Sequence, residues 1–181
     1  MTDNKTIIRQ TLQWLSSVVI AYNFCPFAKR EYDNDRIHYA VIETDDTNAQ
    51  LEQFILECAA LDENASRETS LLIFSKSLSS FEEYLDVLEL ANALLKEQGY
   101  EGTYQLASFH PDYRFEGTAD NDPANYTNRS PYPMLHILRE ESVEQALKTY
   151  PNPENIPKRN IKLTQSLGLQ VMKDLLAASY K

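Results

Sequence analysis

Along most of the chain, apolar residues recur first at helical and then at strand spacing. Over 4–22, Ile8, Leu12, Leu15, Val18, Val19 and Tyr22 share one helical face, which predicts a helix with one buried stripe. Asn23-Phe24-Cys25-Pro26 closes it, because a proline disfavours helical backbone at the residue before it. Ile37, Tyr39 and Val41 alternate with His38 and Ala40 and predict a strand over about 36–43. Asp45 or Thr47 caps the next helix, whose stripe is Leu51, Phe54, Ile55, Cys58 and Leu61. Leu71-Leu72-Ile73-Phe74 is an unbroken apolar run, as expected of a central parallel strand buried on both faces. Ser80 and Glu83 form a capping box, and Phe81, Leu85, Leu88, Ala91 and Leu95 carry a helix to Gly99. Tyr104, Leu106 and Ser108 alternate with Gln105, Ala107 and Phe109 as a third strand, and Met134 to Arg139 is a fourth. A short helix over 141–149 breaks at Tyr150-Pro151-Asn152-Pro153. A last helix over 158–178 turns Leu163, Leu167, Val171, Met172 and Leu175 inward.

The order α-β-α-β-α-β-loop-β-α-α predicts an α/β (or α+β) fold. It has a single mixed, partly parallel sheet of about four strands covered by helices, with a long loop between the last two strands. Right-handed crossovers join strands one to three, and the long loop allows an antiparallel pairing of strands three and four. Residues 1–181 form one domain, with no internal repeat and no low-complexity run.

The loop is the feature that points to function. Between the third and fourth strands lie about twenty polar, aromatic and proline-rich residues, a length that in compact domains marks a functional or disordered segment. It carries His110, Asp112, Arg114 and Arg129 among several Tyr and Asn, which is not a linker's composition.

Charge narrows the partners. The net charge is −10, and residues 43–101 hold 14 acidic side chains against Arg67, Lys76 and Lys96. The rest of the chain, long loop included, is close to neutral. No basic stripe exists to displace phosphate counterions, so nucleic acid is disfavoured. The acidic segment fits solvated helix faces. The apolar runs are too short to span a membrane, and MTDNKTIIRQ has no secretory-signal pattern, so a cytoplasmic location is expected. Cys25 and Cys58 then fit reduced thiols.

Several common chemistries are missing by motif. Four glycines cannot build a phosphate-binding loop, and neither paired-cysteine zinc spacing nor a nucleophilic-serine elbow is present. Cys25 is either a small buried hydrophobe between Phe24 and Phe27 or a reactive thiol. Lys29 and Arg30 favour its thiolate, while the helix end before it disfavours it. Cys58 belongs to an apolar stripe. His110, at the carboxyl end of the third strand, is a candidate general base with Asp112 to orient it. His136 fits a satisfied core residue and His38 a surface one. A metal site from Cys25, His110 and Asp112 or His136 finds no support in spacing. Arg114, Arg129 and Arg139 either pair with carboxylates near the loop or bind an anionic ligand.

The segments Asn23-Phe24-Cys25-Pro26-Phe27-Ala28, Ser108-Phe109-His110-Pro111, 122–133 and Leu135-His136-Ile137-Leu138-Arg139 together resemble a bacterial family called domain of unknown function 1415. Asn160-Ile161 and Leu167-Gly168 extend the likeness through most of the chain. The resemblance implies a small soluble bacterial protein and no particular activity, substrate or cofactor.

The sequence expectation is therefore an enzyme, of unknown reaction and cofactor, acting on a small anionic substrate. Its pocket lies between the Cys25 segment and the 110–133 loop. Cys25, His110 and Asp112 carry the chemistry there, and Arg30, Arg114, Asn125, Asn128, Arg129, Ser130 and Tyr132 bind the ligand. The alternatives are a non-catalytic protein-interaction module, through the acidic helices or the Tyr-rich loop, and a metal-binding protein.

Overall fold

The computed structural model describes residues 2–181. Four strands, β1 (Ile37–Ile42), β2 (Thr69–Phe74), β3 (Tyr104–Phe109) and β4 (Met134–Arg139), form one sheet in the order β1-β2-β4-β3. β1 and β2 are parallel, whereas β4 runs antiparallel to both β2 and β3. The mixed sheet thus takes its antiparallel element from the long loop, which lets β4 turn back and enter between β2 and β3.

Strand alternation sends side chains into two cores. Leu72 and Phe74 of β2 and Leu135 and Ile137 of β4 enter the first, under α3 (Thr47–Glu63) and α4 (Phe81–Glu97). Leu71 and Ile73 of β2 and Met134 of β4 enter the second. That face is covered by α1 (Asn4–Trp14), the π-helical stretch Leu15–Ile20, α6 (Ile156–Leu167) and α7 (Leu169–Ala178). All six residues of β2 are buried, as an apolar run between two helical layers requires. α5 (Glu140–Thr149) follows β4 directly.

Local physics corrects several helix expectations. The first helix buries Ile7, Thr11 and Trp14 in place of Ile8 and Leu12, while Leu15, Val18 and Val19 of the expected stripe are buried as read. Its polar members are satisfied: Thr11 Oγ1 donates to the Ile7 carbonyl, and Trp14 Nε1 donates to the Arg129 carbonyl. Ser16 and Ser17 donate back to the carbonyls of Leu12 and Gln13, a competition that loosens a helix, and the chain widens to π geometry there. A short helix, α2 (Ala28–Asp33), follows Pro26 unforeseen. Asp46, not Asp45 or Thr47, caps α3, accepting from Ala49 N at 2.8 Å. α4 buries Tyr84, Val87, Ala91 and Leu95, leaving Leu85 exposed. Ser80 caps it as expected, but donates to Glu82 rather than being answered by Glu83. The expected last helix is two helices. Gly168, at φ +84° and ψ 160°, takes a backbone conformation open essentially to glycine alone, and α6 ends there.

Candidate functional site

The 110–133 segment is an ordered arm. Its root is fixed by backbone: His110 N donates to the Asn128 carbonyl at 3.2 Å and Ser130 N donates back to the His110 carbonyl. Asp122 caps a 3-10 turn over Pro123–Thr127, and that turn carries the buried Asn125. Asn125 Oδ1 accepts from Phe115 N at 3.1 Å and Thr118 Oγ1 at 2.9 Å, and its Nδ2 donates to the Ala119 carbonyl. Its amide therefore holds both limbs of the arm. Asn128 Nδ2 donates to the Ser108 carbonyl, and Ser130 Oγ to the Tyr132 carbonyl. The Tyr132 hydroxyl donates to Gln10 Oε1. Asn125, Asn128, Ser130 and Tyr132 thus serve the arm's own architecture.

His110 is fully buried, with Tyr84 and Phe81 each 5.2 Å from its ring centre. Nδ1 accepts from the Asp112 backbone N–H at 3.0 Å, which leaves Nε2 to donate to the Leu78 carbonyl at 2.9 Å. Both ring nitrogens are occupied by backbone, and burial lowers the imidazole pKa below its ordinary value. This is the environment of a neutral structural histidine rather than of a general base. Asp112 meets His110 through its amide, so its carboxylate does not orient the ring.

Cys25 lies at the margin of the second core, whereas the His110 ring contacts Tyr84 of the first. The two enter opposite layers and do not form a nucleophile–base pair. Burial pushes the Cys25 thiol up, only partly offset by the Phe27 and Ala28 N–H groups. The nearby cations are engaged elsewhere: Lys29 pairs with Asp33 at 2.5 Å, and the outward-facing Arg30 lies 3.8 Å from Glu31. Cys58 is buried and pushed up to about 12. His136 packs against Phe109, bonds Thr69 Oγ1, and is pushed down to about 4 by burial. Arg139 ties the Leu61 and Arg67 carbonyls.

The arm does form one wall of a cleft of about 600 Å³, a size suited to a small molecule. Asp112, Arg114, Asp120, Tyr126 and Arg129 come from the arm; Ser79, Ser80, Phe81 and Glu82 come from the start of α4; Leu169 and Lys173 come from α7. Ser79 follows β2 and Asp112 follows β3, so the cleft opens at the carboxyl edge of two strands that point the same way. Among the sequence candidates, Asp112, Arg114 and Arg129 meet here. Ser79, Ser80, Glu82, Tyr126 and Lys173 were not anticipated. The carboxyl-edge rule, applied to β2 as well as β3, points to the α4 start; no sequence signal marks Lys173.

Charges in the cleft are unevenly paired. Arg114 forms a 2.8 Å ion pair with Asp120. Arg129 is anchored by neutral acceptors only: Nε donates to the Tyr113 carbonyl at 3.1 Å, Nη1 to the Tyr126 hydroxyl at 3.1 Å and Nη2 to the Asp120 carbonyl at 2.9 Å. Its guanidinium also lies 4.6 Å from the centre of the Tyr126 ring. Among the described residues, no carboxylate lies within ion-pair distance of Arg129 or Lys173. No three His, Cys, Asp or Glu side chains gather to hold a metal among the described residues, and no described helix is long and apolar enough to cross a membrane.

A family model described as a protein of unknown function, DUF1415, matches residues 6–174, nearly the whole chain. The chain belongs to the DUF1415 family. Searches of curated proteins and of solved structures find no match. The DUF1415 match spans every element that builds the cleft, from the α4 start through the arm to Lys173.

Proposed function

We propose that this protein binds a small anionic molecule in the cleft between the 110–129 arm, the start of α4 and α7. The supporting observation is Arg129. Its guanidinium has five N–H donors, three of which are used on neutral acceptors, so its positive charge is fixed in place and left without a carboxylate. Such an anchored guanidinium is preorganised for a carboxylate or phosphate group. Lys173 adds a second cation from α7. Acid–base chemistry in this cleft would fall to the carboxylates of Asp112 and Glu82. Cys25 and His110 are not among the groups that line it, which favours binding or proton transfer over covalent catalysis.

The test is an NMR titration with inorganic phosphate and with propionate. Resonances of Ser80, Asp112 and the Arg129 side chain should shift saturably. Arg129→Gln removes the fixed charge but also loosens the arm. Lys173→Gln removes an exposed charge without touching the arm, and should weaken binding several-fold, up to roughly tenfold. Titrations that leave the cleft resonances unmoved, or that Lys173→Gln and Arg129→Gln do not alter, refute the proposal.

A further inference from the structure

Counting both signs in the cleft narrows the ligand class, on the reading just given that the cleft is a ligand site. With Arg114 and Asp120 neutralising each other, four charged side chains remain: Arg129, Lys173, Asp112 and Glu82. Neither Asp112 nor Glu82 has a cationic partner within ion-pair distance among the described residues. Glu82 accepts from neutral donors, its own backbone N–H and Ser80 Oγ, the latter at 3.0 Å, and Arg114 acts on it only from beyond ion-pair distance. Asp112 follows the buried His110 and immediately precedes Tyr113, whose carbonyl holds Arg129. One free anion is therefore fixed within a residue of the segment that fixes the free cation.

Two uncompensated cations and two uncompensated carboxylates facing one cleft make it neutral in sum and divided in sign. A simple dianion would gain Arg129 and Lys173 but approach Asp112 and Glu82 as well, and like charges in one site oppose binding. A simple amine meets the converse. A molecule with both signs satisfies both sets of groups. Phe81 and Tyr126 supply apolar surface for the short carbon frame between them. We infer that the ligand is a small zwitterion, an aminocarboxylate or aminophosphate, with its acidic group on Arg129 and Lys173 and its ammonium on Asp112 and Glu82.

Matched probes test this on the intact protein. Glycine, β-alanine and 4-aminobutanoate are titrated beside acetate, propionate and butanoate, their counterparts without the amine, and beside 2-aminoethyl phosphate and inorganic phosphate. At least one zwitterion should bind roughly tenfold or more tightly than its amine-free partner, the gain expected of one added charge-assisted contact. Asp112→Asn keeps the backbone N–H that holds His110 and lies on an exposed residue, so it should fold. It should erase that advantage while leaving acetate and phosphate affinity equal or higher. Glu82→Gln is the second variant, acting from α4 rather than from the arm. If simple anions bind as well as every zwitterion, the zwitterion inference is overturned and the anion site stands. If no probe of either kind binds, the anion site itself fails.

Discussion

Tyr84 offers a sharp test of how the arm is held. Its side chain is fully buried beneath the point where β3 and β4 separate. Phe109 and Met134 are the last register pair of that ladder. The Tyr84 hydroxyl stands in their rung, accepting from Phe109 N at 3.1 Å and donating to the Met134 carbonyl at 2.8 Å. Tyr84→Phe deletes one oxygen, keeps the ring that packs on His110 and Phe81, and leaves two buried backbone groups without their partner. Each orphaned group costs on the order of 1–3 kcal/mol, less whatever a direct Phe109–Met134 bond restores. We expect a net loss of about 2 kcal/mol. For a chain of this length that is a fall in Tm of roughly 4–8 °C. Urea unfolding measures the loss, and amide hydrogen exchange locates it: the Phe109 N–H should exchange faster, together with His110 and the arm. A loss under about 0.5 kcal/mol with Phe109 protection unchanged would show that the rung closes without the hydroxyl, and would refute the account.

Two further outcomes follow from burial. His136 is held at a pKa of about 4 against an ordinary 6.5, so the unfolded chain takes up its proton first. The stability this confers is whole above pH 6.5 and is lost as pH falls from there to about 4, by up to about 3 kcal/mol. The pH dependence of the urea midpoint should therefore be shallower in His136→Gln over that window; equal slopes count against it. Cys25, with its thiol raised by burial, should react with iodoacetamide at pH 7.5 at least about tenfold more slowly than a free thiol such as glutathione. A rate matching glutathione would contradict the placement of this half-buried thiol at the core margin.

Periodicity identified all four strands and most helices because strand alternation and helical spacing follow directly from burial on one or two faces. It misjudged which turn of a helix faces inward wherever a polar atom decides the rotation. Trp14 and Tyr84 are buried because the indole N–H and the hydroxyl each find a distant carbonyl, a pairing set by tertiary structure, whereas the Thr11 hydroxyl is satisfied one turn back, at the Ile7 carbonyl of its own helix. Gly168 was visible as a residue, but its conformation was not, so one helix was expected where two exist. At the site, the long arm and its Asp112, Arg114 and Arg129 were legible from composition and from the strand end. The separation of Cys25 from His110 was not, because their layers depend on which face each follows after its preceding element. Asn125 and Asn128 have the residue types of ligand-binding groups, and only their hydrogen bonds show that they hold the arm.

The place of β4 bears on how the protein is made. β2 is its most apolar strand, yet its inner neighbour is the last strand of the chain. About 65 residues separate the end of β2 from the end of β4, roughly 3–13 s of synthesis at ordinary elongation rates. Throughout that interval the nascent sheet can contain only the β1–β2 pair, and β3 has nothing to join. An unpaired edge on a strand built to be buried, four of whose six residues are apolar, is a template for wrong partners. A ribosome-bound chain stopped before residue 134 should therefore depend on chaperones, and the full-length chain should lose that dependence once β4 closes the gap.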